Sequence, residues 1–141
     1  MNQRLLFTVE EANALIPRLE GIMGKLQRQG LALREQLAEL ARQTGQSLEE
    51  LTTPQILELR PQLHPVLQEL EALLGEIDAC GGQMKGLDLG LVDFPAELGG
   101  EIVLLCWQFG EKEISYYHSL EGGFAGRKLL SPKAERPKYL Q

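Results

Sequence analysis

The residues able to do chemistry gather in the second half of the chain. Asp93 sits inside an apolar run, Gly90-Leu91-Val92-Asp93-Phe94-Pro95. Glu111 falls at a turn shortly after Trp107, and Tyr116-Tyr117-His118 follows it. Glu121-Gly122-Gly123-Phe124-Ala125-Gly126-Arg127 is then a glycine-rich loop closed by an arginine. Carboxylates and imidazole suit a divalent first-row transition metal, and a carboxylate also tunes a catalytic histidine. Asp93, Glu111 and His118 are therefore the candidate metal ligands or acid–base set, with Cys106 as a fourth ligand. Arg127 is the candidate anion clamp. Trp107, Tyr116, Tyr117 and Phe124 would form the pocket wall.

A plainer reading competes with this one. No pair among these residues has the spacing of a Cys-x-x-Cys or a His-Glu-x-x-His motif. Buried polar side chains are usually satisfied structurally. On that reading Asp93 is a turn or cap acceptor, Glu111 a hairpin-turn residue and His118 a hydrogen-bonder at a strand end. Cys106 has apolar flanks and reads as a buried small hydrophobe rather than a nucleophile. Cys80 lies near a helix C-terminus, where the dipole disfavours a thiolate. His64, between Pro61 and Pro65, reads as a surface residue. The glycine loop lacks the Lys-Ser/Thr ending of a phosphate loop, and Pro132 opposes the helix that should follow. Its glycines permit tight turns, Phe124 plugs the sheet, and Arg127 has Asp93, Glu111 or Glu121 as partner.

The elements that must position these groups are of two kinds. Phe7-Thr8-Val9-Glu10-Glu11 is a capping box with a hydrophobic staple, opening a helix over 8–44. Val9, Ala12, Ile16, Leu19, Met23, Leu26, Gly30, Leu33, Leu37 and Leu40 alternate four and three apart, a coiled-coil-like heptad seam. Pro17 should bend this helix after its first turns, and Thr44-Gly45 ends it. Residues 45–64 form a proline-containing crossover with one or two short helical turns. A second helix over 65–80 carries Val66, Leu70, Leu73 and Ile77 at the same spacing, with Leu63 just before it, and Cys80-Gly81-Gly82 stops it. Matching seams predict an antiparallel helical hairpin.

Beyond Gly82 the helical period vanishes. Glu101 to Phe109 reads as a strand covered on both faces, because Ile102 to Trp107 is continuously apolar. Gly110-Glu111-Lys112 is a turn, and Glu113 to His118 a second, alternating strand. Met84-Lys85 and Leu91 to Phe94 are shorter candidates. The predicted fold is α+β: a long antiparallel helical hairpin and a small C-terminal antiparallel sheet in one domain over 1–130. A basic tail, 131–141, is expected to be flexible.

Composition bounds what such a chain does. With 141 residues, 43% apolar and 24% charged, it has enough material for a real core. A net charge of −6 opposes nucleic-acid binding, which needs phosphate neutralisation. Two cysteines make no disulfide framework. Met1-Asn2-Gln3-Arg4 leads into no long apolar run, so neither a secretory signal nor a membrane span is expected. The expected compartment is the cytoplasm, with both thiols reduced.

Several short motifs in order resemble one prokaryotic family, domain of unknown function 2203. They are Phe7-Thr8-Val9-Glu10-Glu11-Ala12-Asn13-Ala14-Leu15-Ile16-Pro17, Gly90 to Ala96, Leu105-Cys106-Trp107 with Gly110-Glu111, and His118 with Gly123-Phe124-Ala125-Gly126-Arg127. The similarity runs from about residue 7 to 130. In that family a tryptophan usually precedes the histidine, where this chain has Tyr117, and an acidic residue often follows the lysine, where it has Gly86. The resemblance implies membership and no activity. Two functions are then expected to compete. One is an interaction or scaffold protein, self-associating or holding a partner through a helix long for a domain of this size. The other is a metal-dependent or acid–base enzyme working around Asp93, Glu111, His118 and Arg127.

Overall fold

The computed structural model describes residues 6–130. The basic tail expected over 131–141 lies outside them. The chain begins with the predicted capping box: the Thr8 hydroxyl accepts from the Glu11 amide, and the Glu11 carboxylate accepts from the Thr8 amide, both at 3.0 Å. Helix α1 runs Val9–Ala14 and α2 runs Ile16–Thr44. The single helix expected over 8–44 is thus broken at Leu15. Pro17 has no amide to give to the turn before it, so the ladder fails there rather than after it. Gly45, with φ +72°, closes α2 in the left-handed conformation.

The crossover holds a single 3-10 turn, Leu48–Glu50, and helix α3, Thr53–Leu59. Helix α4 then runs Leu63–Ala79, two residues earlier than the sequence suggested, since Pro65 is tolerated in a first turn. Contacts of α2 with α4 and with the residue capping α3 follow antiparallel order. Arg60 donates to Gln43 at the far end, Gln29 donates to Glu69 midway, and Ile77 joins Leu19, Met23 and Leu26 near the sheet.

Five strands follow as an antiparallel meander, in spatial order β1-β2-β3-β4-β5. They are β1 Gln83–Gly86, β2 Leu91–Leu98, β3 Glu101–Gln108, β4 Tyr116–His118 and β5 Lys128–Leu129. Gly81 delivers the chain from α4 into β1. Its φ is +91°, and a Cβ there would come within 2.5 Å of the Phe7 ring, so only glycine fits. The turn between β2 and β3 is Gly99-Gly100, both at positive φ, a two-residue hairpin turn.

Two strands differ from expectation. β2 continues through Pro95, where proline should end a central strand. Pro95 pairs with Leu104 at a position where a backbone amide would point away from β3, and on that side β1 reaches only as far as Asp93. Pro95 therefore has no sheet partner for an amide to meet. Its carbonyl accepts from the Phe7 amide instead, at 2.7 Å. The strand expected over Glu113 to His118 shrinks to β4, because the Ile114 amide donates to the Asn13 side chain at 2.7 Å rather than to a strand.

One face of the sheet, with Val92, Phe94, Ala96, Val103, Leu105 and Trp107, packs against α1, α2 and the end of α4. The other face is also closed at its centre: Asp93, Leu104, Cys106 and His118 are all buried. This explains the unbroken apolar run of β3. The outer half of the helical hairpin runs past this core and leaves Leu31 and Leu59 exposed.

Candidate functional site

The meander itself assembles the site. Register places Asp93 of β2 opposite Cys106 of β3, and His118 of β4 opposite Leu104 of β3. Alternation along a strand sends all of these side chains to the face away from the helices. His118 and Asp93 then meet across β3. His118 Nε2 lies 2.9 Å from Asp93 Oδ2, with both side chains only 2% exposed. On its other edge, His118 Nδ1 lies 2.7 Å from the Ser119 carbonyl oxygen. A carbonyl only accepts, so Nδ1 carries a proton and donates it.

Asp93 has a second feature. Its Oδ1 is buried and has no hydrogen-bond partner among the described residues. Orphaned buried oxygens are rare, because desolvation costs on the order of 1–3 kcal/mol or more. Cys106 completes the cluster. One donor atom each from Asp93, Cys106 and His118 lie within 4.8 Å of one another. Burial first, then the Asp93 carboxylate, pushes the Cys106 thiol from 9.0 up to about 12, while Arg127 pulls the other way. The thiol is thus protonated and inert as a free nucleophile at neutral pH.

That shift has a stability consequence. An unfolded thiol loses its proton near 9.0, whereas the folded one keeps it to about 12. Folding stability is therefore unaffected below the lower value and falls as pH rises between them. At about pH 10.5 the loss should be roughly 2 kcal/mol. Urea melts of the wild type and Cys106→Ala at about pH 8 and about pH 10.5 check this. The wild type should lose the extra amount, and equal losses in both proteins would contradict it.

The remaining candidates form a separate clamp. Glu111 does not join Asp93 and His118. Its carboxylate accepts from Arg127 Nη2 at 3.0 and 2.8 Å and from the Gln108 amide at 2.7 Å. The Glu111 carbonyl accepts from the Trp107 indole at 2.9 Å. Arg127 also donates to the Cys106 carbonyl at 3.3 Å and lies 4.0 Å from the Tyr116 ring centre and 5.0 Å from that of Phe124. It is bound to a carboxylate of its own rather than open to an anion. Of the four residues expected as pocket wall, Tyr116 and Phe124 hold Arg127. Trp107 and Tyr117 instead pack into the core under the helices.

One participant went unnoticed in the sequence. Lys85 Nζ lies 3.2 Å from Asp93 Oδ2. No local motif marks it, because its position depends on a bulge in β1. The Asp93–Cys106 pairing did leave a signal. A two-residue turn at Gly99-Gly100 pairs Leu98 with Glu101 and, five residues back along each strand, Asp93 with Cys106.

A helical hairpin laid over a five-stranded meander, with a buried aspartate–cysteine–histidine cluster on the opposite face, is the class of protein this fold and site define. The chain belongs to the family described as uncharacterized conserved protein (DUF2203), whose model matches residues 5–130. No curated protein and no solved structure matches it. No helix among the described residues is long and apolar enough to cross a membrane.

Proposed function

We propose that the protein binds one divalent transition-metal ion, of the zinc type, between Asp93, Cys106 and His118. The observation that carries this reading is the buried Asp93 Oδ1 left without a partner, beside a thiol and an imidazole on the same face. Nitrogen, sulfur and oxygen donors are the mixture that zinc accepts in a tetrahedral site. Ligand atoms about 3.4 Å apart would suit bonds of ~2.0–2.3 Å, so donors that lie within 4.8 Å of one another need close by at most about 1.4 Å. Asp93, Cys106 and His118 supply one donor each, and a water would take the fourth tetrahedral position. The Ser119 carbonyl supports the same reading. It holds the Nδ1 proton and aims Nε2 inward, as backbone carbonyls do for metal-bound histidines.

The burial of the cluster favours a structural or sensing ion over a catalytic one. Asp93 and His118 are 1% and 2% exposed, so the site admits an ion more readily than a substrate. An ion held there would tie β2, β3 and β4 together. The first test is metal content of untagged protein by plasma mass spectrometry. About one zinc per chain is expected in the wild type, falling at least tenfold in Cys106→Ser and His118→Gln. Wild-type protein that takes up no metal when supplied with zinc would overturn the reading.

The helical hairpin supports a second role in self-association or partner binding. Leu31, Leu48, Leu59 and Leu74 are exposed at 41–54% on its surface. A strictly monomeric mass by sedimentation at high concentration would count against self-association.

A further inference from the structure

Lys85 is the extra residue of a bulge. Met84 pairs with Val92 and Gly86 with Leu91, which leaves Lys85 without a cross-strand partner. Bulges near functional sites re-aim a side chain. Here the ammonium reaches the buried carboxylate while the lysine side chain stays 40% exposed. One end of Lys85 is thus in water and the other on Asp93 Oδ2. Its strand, β1, is also an edge of the sheet, so it can shift without breaking a ladder on its outer side.

Arg127, the other cation beside the cluster, is differently placed. Its guanidinium is tied to Glu111 and to the Cys106 carbonyl, between two rings. It is fixed, whereas Lys85 is free to swing outward. An ammonium and a metal ion seek the same carboxylate oxygen, and both cannot sit on it at close range without repulsion.

Resting on the metal reading above, we propose that Lys85 is the gate of this site. It neutralises Asp93 when the metal is absent, competes with the incoming ion, and swings into water as the ion takes the carboxylate. No covalent bond is made or broken at Lys85, and only its contact is exchanged. Lys85 is a positioning residue and is not itself a ligand.

Cobalt(II) titration of the full-length chain tests this, read by the thiolate-to-cobalt charge-transfer absorption and by stopped-flow loading rates. Lys85→Met should bind cobalt about tenfold more tightly and load faster, the gain expected when a charged competitor's contact is lost. Lys85→Arg, which keeps the charge, should stay near the wild type. Without metal, Lys85→Met should melt below the wild type, and with metal it should melt above it. Lys85→Gln provides the same comparison if the methionine variant does not fold. Affinity in Lys85→Met or Lys85→Gln equal to or below that of the wild type overturns the gate and leaves the metal site standing. Absence of the absorption band in every protein overturns both.

Discussion

Replacing His118 by alanine is expected to cost the metal-free fold about 3–5 kcal/mol, the range for emptying the site of a large buried ring and stranding its hydrogen-bond partners. His118 is 2% exposed and hydrogen-bonded on both ring nitrogens. Removing the ring takes a buried partner from Asp93, with one oxygen already orphaned and only Lys85 and the Cys106 thiol left beside it. A loss of that size should lower the melting temperature by roughly 10–20 °C for a chain of this length. The effect belongs to the carboxylate as much as to the ring. Asp93→Asn should therefore recover part of the loss in the His118→Ala background, a coupling on the order of 1–3 kcal/mol. Urea melts of the four proteins with chelator present give the cycle. Additive effects, or a His118→Ala loss below about 1 kcal/mol, would show that the pair is not the electrostatic unit the distances describe.

Zinc affinity should depend steeply on pH. Metal binding displaces every proton that occupies a donor atom. The Cys106 thiol, pushed up to about 12, always brings one at neutral pH. The hydrogen bond between His118 Nε2 and Asp93 Oδ2 is also given up to the ion. One thiol proton leaving per ion means that affinity rises about tenfold for each pH unit between about pH 6 and about pH 8. The charged groups around the cluster are Lys85, on Asp93 in the metal-free protein, and the Arg127–Glu111 pair. Competition titrations against a chelator of known pH dependence measure the slope. A slope of about tenfold per unit is the thiol's own. A flat profile would remove Cys106 from the ligand set.

The chain's two halves were legible for different physical reasons. Helical periodicity survives in the seam from Val9 to Leu40, and the Thr8–Glu11 cap announces where it starts. β3 showed itself because both of its faces are covered. Pro95 hid the second half of β2, since a proline is tolerated there only because its amide side faces a loop, and that depends on Phe7 arriving from the other end of the chain. Ile114 was misassigned for a similar reason, as its amide is taken by Asn13 from α1.

The site was legible in its parts more than in its pairing. Asp93, Glu111, His118 and Arg127 stood out as polar residues in an apolar region. Which of them meet depends on register across β3, and strands β2 and β4 are not neighbours. Glu111 turned out to be the partner of Arg127, one of three acids open to it on sequence alone. Cys106 read correctly as buried, yet burial did not tell which face it shares. Alternation from Trp107, which packs against the helices, places Cys106 on the opposite side beside Asp93.

The most direct test of the central claim is the X-ray absorption spectrum of the zinc-loaded protein at the zinc edge. The account predicts one sulfur at about 2.3 Å and nitrogen or oxygen donors at ~2.0–2.2 Å, with the sulfur lost in Cys106→Ser. A zinc shell of oxygen and nitrogen alone in the wild type would contradict it and place the ion elsewhere on the chain.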